Sequence, residues 1–95
     1  MCNDMPIEFY VGEVKRMEAV ASPIKKGEIP VITSAKYEVK REYCDEIIEE
    51  GNCTVDVDIA EFYLKLEEPG VFVVKVTANI GKEVEIEKAY ICVKG

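Results

Sequence analysis

The sequence predicts an all-β sandwich, and three observations carry that prediction. Apolar residues recur with a period of two in segment after segment, through Ala35, Tyr37 and Val39 and again through Phe72, Val74, Val76, Ala78 and Ile80. Such alternation marks strands with one buried face, because successive strand side chains point to opposite sides. Turn signals built from Gly, Pro, Asn and Asp separate these segments at roughly eight- to twelve-residue intervals, the rhythm of a many-stranded fold. Finally, 95 residues with 48% hydrophobic and 33% charged positions describe one domain, residues 1–95, with apolar content enough for a core.

Taken in chain order, residues 1–11 read as a loose N-terminal arm. "GEVKRMEAVA" follows as a short charged strand, suited to an edge, and "SPIKKGEIP" as a turn-rich connector. "VITSAKYEV" alternates through Val31, Thr33, Ala35, Tyr37 and Val39. "KREYCDEIIEEGN" allows two readings. Tyr43, Ile47 and Ile48 have helix-compatible spacing with Gly51 as a C′ residue; alternatively, two short strands turn at Cys44-Asp45-Glu46. The strands on either side favour the second.

"CTVDVDI" sets Cys53, Val55, Val57 and Ile59 on one side and Thr54, Asp56 and Asp58 on the other. The phase flips at Ile59-Ala60, after which "AEFYLKL" buries Ala60, Phe62, Leu64 and Leu66 and shows Glu61, Tyr63 and Lys65. Pro69-Gly70 opens the most regular strand. Gly81 then predicts a hairpin through a type I turn and a G1 bulge. In the returning strand Val84 and Ile86 share one phase and Ala89, Ile91 and Val93 the other, so a bulge is expected near Glu87-Lys88. About seven such strands fit an immunoglobulin-like β-sandwich with Greek-key connections better than an up-and-down barrel, since phase breaks and a Pro-rich crossover suit two sheets.

The string Tyr37-x-Val39, Ala60-x-Phe62-x-Leu64, Pro69-Gly70-Val71-Phe72-Val73-Val74-Lys75-Val76-Thr77-Ala78 and Ile80-Gly81-x-Glu83 resembles small Ig-like domains from phage and prophage structural-gene clusters of Gram-positive bacteria. The match runs from Gly12 to Gly95 and consists of core and turn residues. The resemblance implies a virion or tail accessory with a structural or interaction role and brings no catalytic residues. The chain departs from antibody-type domains: it has no Trp, and Ala35, Tyr37, Val74 and Val76 occupy the region where an inter-sheet disulfide would stand.

Chemistry is sparse. With no histidine, the commonest general base and the usual triads and zinc ligands are missing. No enzyme activity and no cofactor are expected. Cys2, Cys44, Cys53 and Cys92 contain no CxxC pair of the kind structural zinc prefers. Cys53 and Cys92 read as small fillers with free thiols, and Cys44 and Cys53 as free thiols that a hairpin could bring together. Asp56 and Asp58 are the calcium candidates, although alternating acids are more often a solvated strand face.

Tyr63 and Tyr10 are candidate contact residues, as exposed aromatics anchor partners, and Glu49 and Glu50 belong to an acidic segment that could dock. A net charge of −7 argues against nucleic acid and against an anionic membrane. No apolar run approaches the roughly 18 residues of a membrane span, and the N-terminus lacks a secretory pattern. A cytoplasmic or virion location with reduced cysteines is the expectation. The expected partner is a protein. Alternatives are a carbohydrate or host-surface ligand, for which exposed aromatics should cluster on one face, and a cytoplasmic acidic regulator with a basic target.

Overall fold

The structure, a computed structural model, describes residues 7–22, 27 and 29–95. Eight strands make up the fold: β1 (Ile7–Tyr10), β2 (Val14–Val20), β3 (Ser34–Arg41), β4 (Ile47–Asn52), β5 (Thr54–Asp56), β6 (Ile59–Lys65), β7 (Gly70–Ile80) and β8 (Glu83–Lys94). They form a five-stranded sheet ordered β1-β8-β7-β3-β4 and a three-stranded sheet ordered β2-β6-β5, packed as a sandwich. All pairings are antiparallel except β1 with β8, which run parallel. The chain therefore joins β3–β4, β5–β6 and β7–β8 as hairpins and changes sheets at its other connections.

Period-two alternation accounts for the core. Phe72, Val74, Val76, Ala78 and Ile80 of β7 are buried, as are Ala35, Tyr37 and Val39 of β3 and Ala60, Phe62 and Leu64 of β6. One cluster gathers Phe9, Tyr37, Phe62, Leu64, Phe72 and Ile91; a second, of smaller residues, gathers Ala21, Ile32, Ala35, Ala60, Ala78 and Ile80 at one end. Tyr37 and Phe62 stack across the sheets with ring centroids 4.1 Å apart and an interplanar angle of 8°, an aromatic pair bridging both layers.

Several expectations change. Residues 7–10 are not a loose arm: Ile7 to Tyr10 pair with Ile91 to Lys94, and Phe9 is fully buried. Residues 1–6 of that arm lie outside the described residues, as does most of the connector. Residues 40–51 form no helix; β3 and β4 meet through a turn, as the preferred reading had it. Ile32, not Val31, enters the core ahead of β3.

The β7–β8 loop is only Gly81-Lys82, with Ile80 opposite Glu83. Gly81 has φ +60° while Lys82 lies outside the positive-φ set, the pattern of a type II′ turn, so the expected type I turn and G1 bulge are not formed. Nor is there a bulge at Glu87-Lys88, because the β7–β8 register is unbroken from Gly70↔Val93 to Ile80↔Glu83. The phase conflict resolves differently: Val84 and Ile86 face solvent. Their inward neighbour Glu85 accepts a hydrogen bond from the Ser22 amide at 3.3 Å.

Candidate functional site

Each sheet presents an outer face to solvent. On the three-stranded sheet Tyr63 stands opposite Arg16 with its ring exposed. Arg16 Nε donates to Glu61 at 2.7 Å, and Nη2 also lies 2.5 Å from Glu18. The Glu61 hydrogen bond, followed by the charges of Glu18 and Glu61, lifts the Arg16 guanidinium further above its ordinary value. This face is electrostatically closed, because both its cations are already matched, Arg16 by Glu18 and Glu61 and Lys65 by Glu67 at 3.1 Å.

The outer face of the five-stranded sheet differs. Strand pairing sets Lys40, Val73 and Tyr90 in one cross-strand row and Glu38, Lys75 and Lys88 in the next. The turn carrying Tyr43, Cys44 and Asp45 forms a wall beside these rows, and together they enclose an open depression of about 460 Å³. Four of the chain's 12 basic residues (Lys40, Arg41, Lys75 and Lys88) line it against two acids, Glu38 and Asp45. On a protein of net charge −7 the depression is a local reversal of sign. Glu38 answers Lys75 at 3.6 Å, and Arg41 pairs with Glu68 while its guanidinium lies 4.9 Å from the Phe72 ring centroid. Lys40 and Lys88 have no ion-pair partner among the described residues.

Tyr43 is the unusual member. It is 98% exposed and adopts φ +62°, a left-handed conformation costing about 1–2 kcal/mol for a residue with a Cβ. A large ring displayed to solvent from a strained backbone contributes nothing to packing, and strain of this kind collects at binding sites. Tyr90 (45% exposed) lies in the same depression, and Tyr10 is exposed on the same sheet face, opposite Lys94.

The predicted site residues are thus dispersed. Tyr63 and Tyr10 fall on opposite outer faces. Glu50 is exposed on β4, whereas Glu49 faces inward and accepts a hydrogen bond from the Tyr37 hydroxyl. Burial raises the Glu49 carboxyl above its ordinary value, partly offset by that hydrogen bond, and burial likewise raises Tyr37 and the Cys53 thiol. Asp56 and Asp58 do not share a strand face: Asp56 ends β5, and Asp58 sits in the turn after Val57. Among the described residues no three His, Cys, Asp or Glu side chains gather where they could hold a metal ion.

Cys44 and Cys53 are free thiols and do not pair. Cys92, expected to be a reduced filler, is disulfide-bonded. It faces away from Ile91 and Val93 on β8, opposite Glu8, where parallel pairing joins the first and last strands. Among the described residues no helix is long and apolar enough to cross a membrane.

Sequence reading missed Tyr43, Lys40 and Lys88. Period-two parity does place Lys40, Val73 and Tyr90 on one type of face, but only the strand order β8-β7-β3 makes them neighbours. Tyr43 gives no such signal, being a turn residue.

No protein-family model and no curated protein matches the chain. Among solved structures it is similar to an engineered protein, a Northeast Structural Genomics Consortium target, with a TM-score of 0.75 and 8% sequence identity. The alignment covers 96% of this chain and 18% of that one, so the chain spans less than a fifth of its neighbour's length. A likeness at such low identity is one of fold.

Proposed function

We propose that this protein is a noncatalytic, Ig-like interaction module, a virion or tail accessory of phage origin, that binds a protein partner through the outer face of its five-stranded sheet. The Ig-like assignment draws support from the strand order. A three-stranded sheet faces one extended by β4 beyond β3 and by a short first strand running parallel to the last, with sheet-changing connections between hairpins, in keeping with Greek-key sandwiches of variable type. The phage origin rests on the resemblance of the core and turn residues. The observation that carries the binding role is the depression holding Tyr43, Tyr90 and Arg41, since exposed Tyr and Arg are the residue types enriched at interface anchors, while its three lysines add a charge complementary to an acidic partner.

Mass spectrometry of virions from the encoding phage, with cross-linking to identify the neighbouring tail or capsid component, tests the reading. The chain should be present and cross-linked through the β3–β7–β8 face; virions lacking it, or cross-links confined to the Tyr63 face, would refute it. One observation favours a carbohydrate ligand as a second reading: two exposed tyrosines share one depression, the clustering such a ligand requires. A glycan array would show hits abolished by Tyr43→Ala if that reading holds, and none if it fails.

A further inference from the structure

We propose that the depression receives an extended acidic segment of the partner protein, with carboxylates meeting Lys40 and Lys88 and an apolar side chain over Val73 between them. This deepens the proposed function and rests on it. Three features point to an anionic occupant. Lys75 and Lys88 stand directly opposite each other across β7 and β8, and like charges so placed destabilise a sheet. Only Lys75 is answered, by Glu38. Among the described residues Lys40 and Lys88 are left unmatched, in a chain whose 19 acidic residues are plentiful enough to have covered them.

Geometry selects the pattern of the segment. Lys40 and Lys88 lie two strands and two residues apart on the outer face, a diagonal of about 12 Å from strand spacing and rise. In an extended peptide, residues i, i+2 and i+4 face one side and span about 13 Å. An acid-x-apolar-x-acid segment laid along the diagonal would therefore reach both lysines and set its central side chain on β7, over Val73 and the stem of Lys75. The depression is open to solvent, so a free small molecule would leave much of its surface exposed there; a partner segment is held in addition by the rest of its own protein. Acids on the distant sheet act weakly on the bound segment, because the Debye length is about 8 Å at physiological salt. A two-fold dimer through this face is disfavoured, since an isologous contact would set the same lysine-rich patch against itself.

The test is an amide chemical-shift map of the full chain with acetyl-GESFSEG-amide, its charge-reversed counterpart acetyl-GKSFSKG-amide, and glucuronate. The acidic peptide should move amides of residues 38–45, 73–75 and 88–90, while the basic peptide leaves them in place. Lys40→Gln with Lys88→Gln should weaken that binding at least about tenfold, the loss expected for a charge-assisted hydrogen bond. Both side chains lie on the outer face, so the double variant should keep its fold, with a thermal midpoint equal to or slightly above wild type because the Lys75–Lys88 repulsion is relieved. Equal or stronger shifts with the basic peptide would overturn the acidic assignment and leave the face itself as the binding surface. Shifts confined to the Arg16 face, no shifts at millimolar peptide, or an unaffected double variant would overturn it too. Glucuronate matching the peptide at lower concentration would reassign the site to acidic sugars. Failure of the proposed function reads differently, as a cross-linked partner mapping away from β3–β7–β8.

Discussion

Gly51→Ala separates two opposing effects by sign. Gly51 lies opposite Tyr37 across β3 and β4, and its φ is not positive, so its backbone would accept alanine. On propensity alone that substitution in a strand gains about 0.5–1 kcal/mol. Packing says the opposite. A Cβ at position 51 would meet Tyr37 Cε1 and Oη at 3.0 Å and Cζ at 3.2 Å. The ring has no easy retreat, because Phe62 stacks on it at 4.1 Å and Glu49 holds its hydroxyl. Overpacking of a fixed neighbour costs about 1–3 kcal/mol, so the net expectation is destabilisation by about 1–2 kcal/mol. Urea unfolding followed by circular dichroism would read this as a lower midpoint at unchanged slope. In a Tyr37→Leu background the contact is gone, and Gly51→Ala should turn neutral or stabilising. Stabilisation by Gly51→Ala in the wild-type background would refute the argument that Tyr37 is pinned.

Val57 is β-branched yet has φ +53° in the β5–β6 turn, so Val57→Asn should stabilise by about 1 kcal/mol, raising the melting temperature by about 4–8 °C; a lower melting temperature would show that the exposed valine packs usefully. Burial raises the Glu49 carboxyl above its ordinary 4.5. Its contribution to stability is therefore full below the unfolded value and lost as pH rises through the folded one. Glu49→Gln, which keeps an acceptor for Tyr37, should match wild type in acid and exceed it increasingly toward neutral pH, and a difference independent of pH would contradict this. Iodoacetamide without reductant should label exposed Cys44 quickly, half-buried Cys53 slowly because burial raises its thiol, and Cys92 not at all; prompt labelling of Cys92 would exclude its disulfide.

Strands were legible wherever one face is buried. The period-two runs of Phe72–Ile80 and Ala60–Leu66 state their inward side directly, because the sandwich covers the whole of that side. Legibility failed where burial is incomplete. Val84 and Ile86 break the phase because they lie on the outer face of β8, and the bulge their phase predicts is not needed for residues that simply face water. Val57 continued an alternation into what is a turn, since a pattern of apolar letters does not report φ. The short β1 escaped notice because four residues carry little periodicity and its partner is the last strand of the chain. The site was harder still. Tyr63 and Tyr10 were identifiable as exposed rings, but which tyrosines share a surface depends on sheet order. The pairing of Lys75 with Lys88 follows from a turn only two residues long.

Four of the five tyrosines provide the most direct test of the binding face, as Tyr43 and Tyr90 lie in the depression, Tyr63 on the opposite sheet and Tyr37 in the core. Tyrosine-selective nitration, quantified by peptide mass spectrometry with and without the cross-linked partner, reads each separately. Tyr37 should be unreactive throughout and serve as the internal control. Partner binding should protect Tyr43 and Tyr90 while Tyr63 stays fully reactive. Protection of Tyr63 with Tyr43 and Tyr90 left reactive would place the partner on the three-stranded sheet and contradict the account.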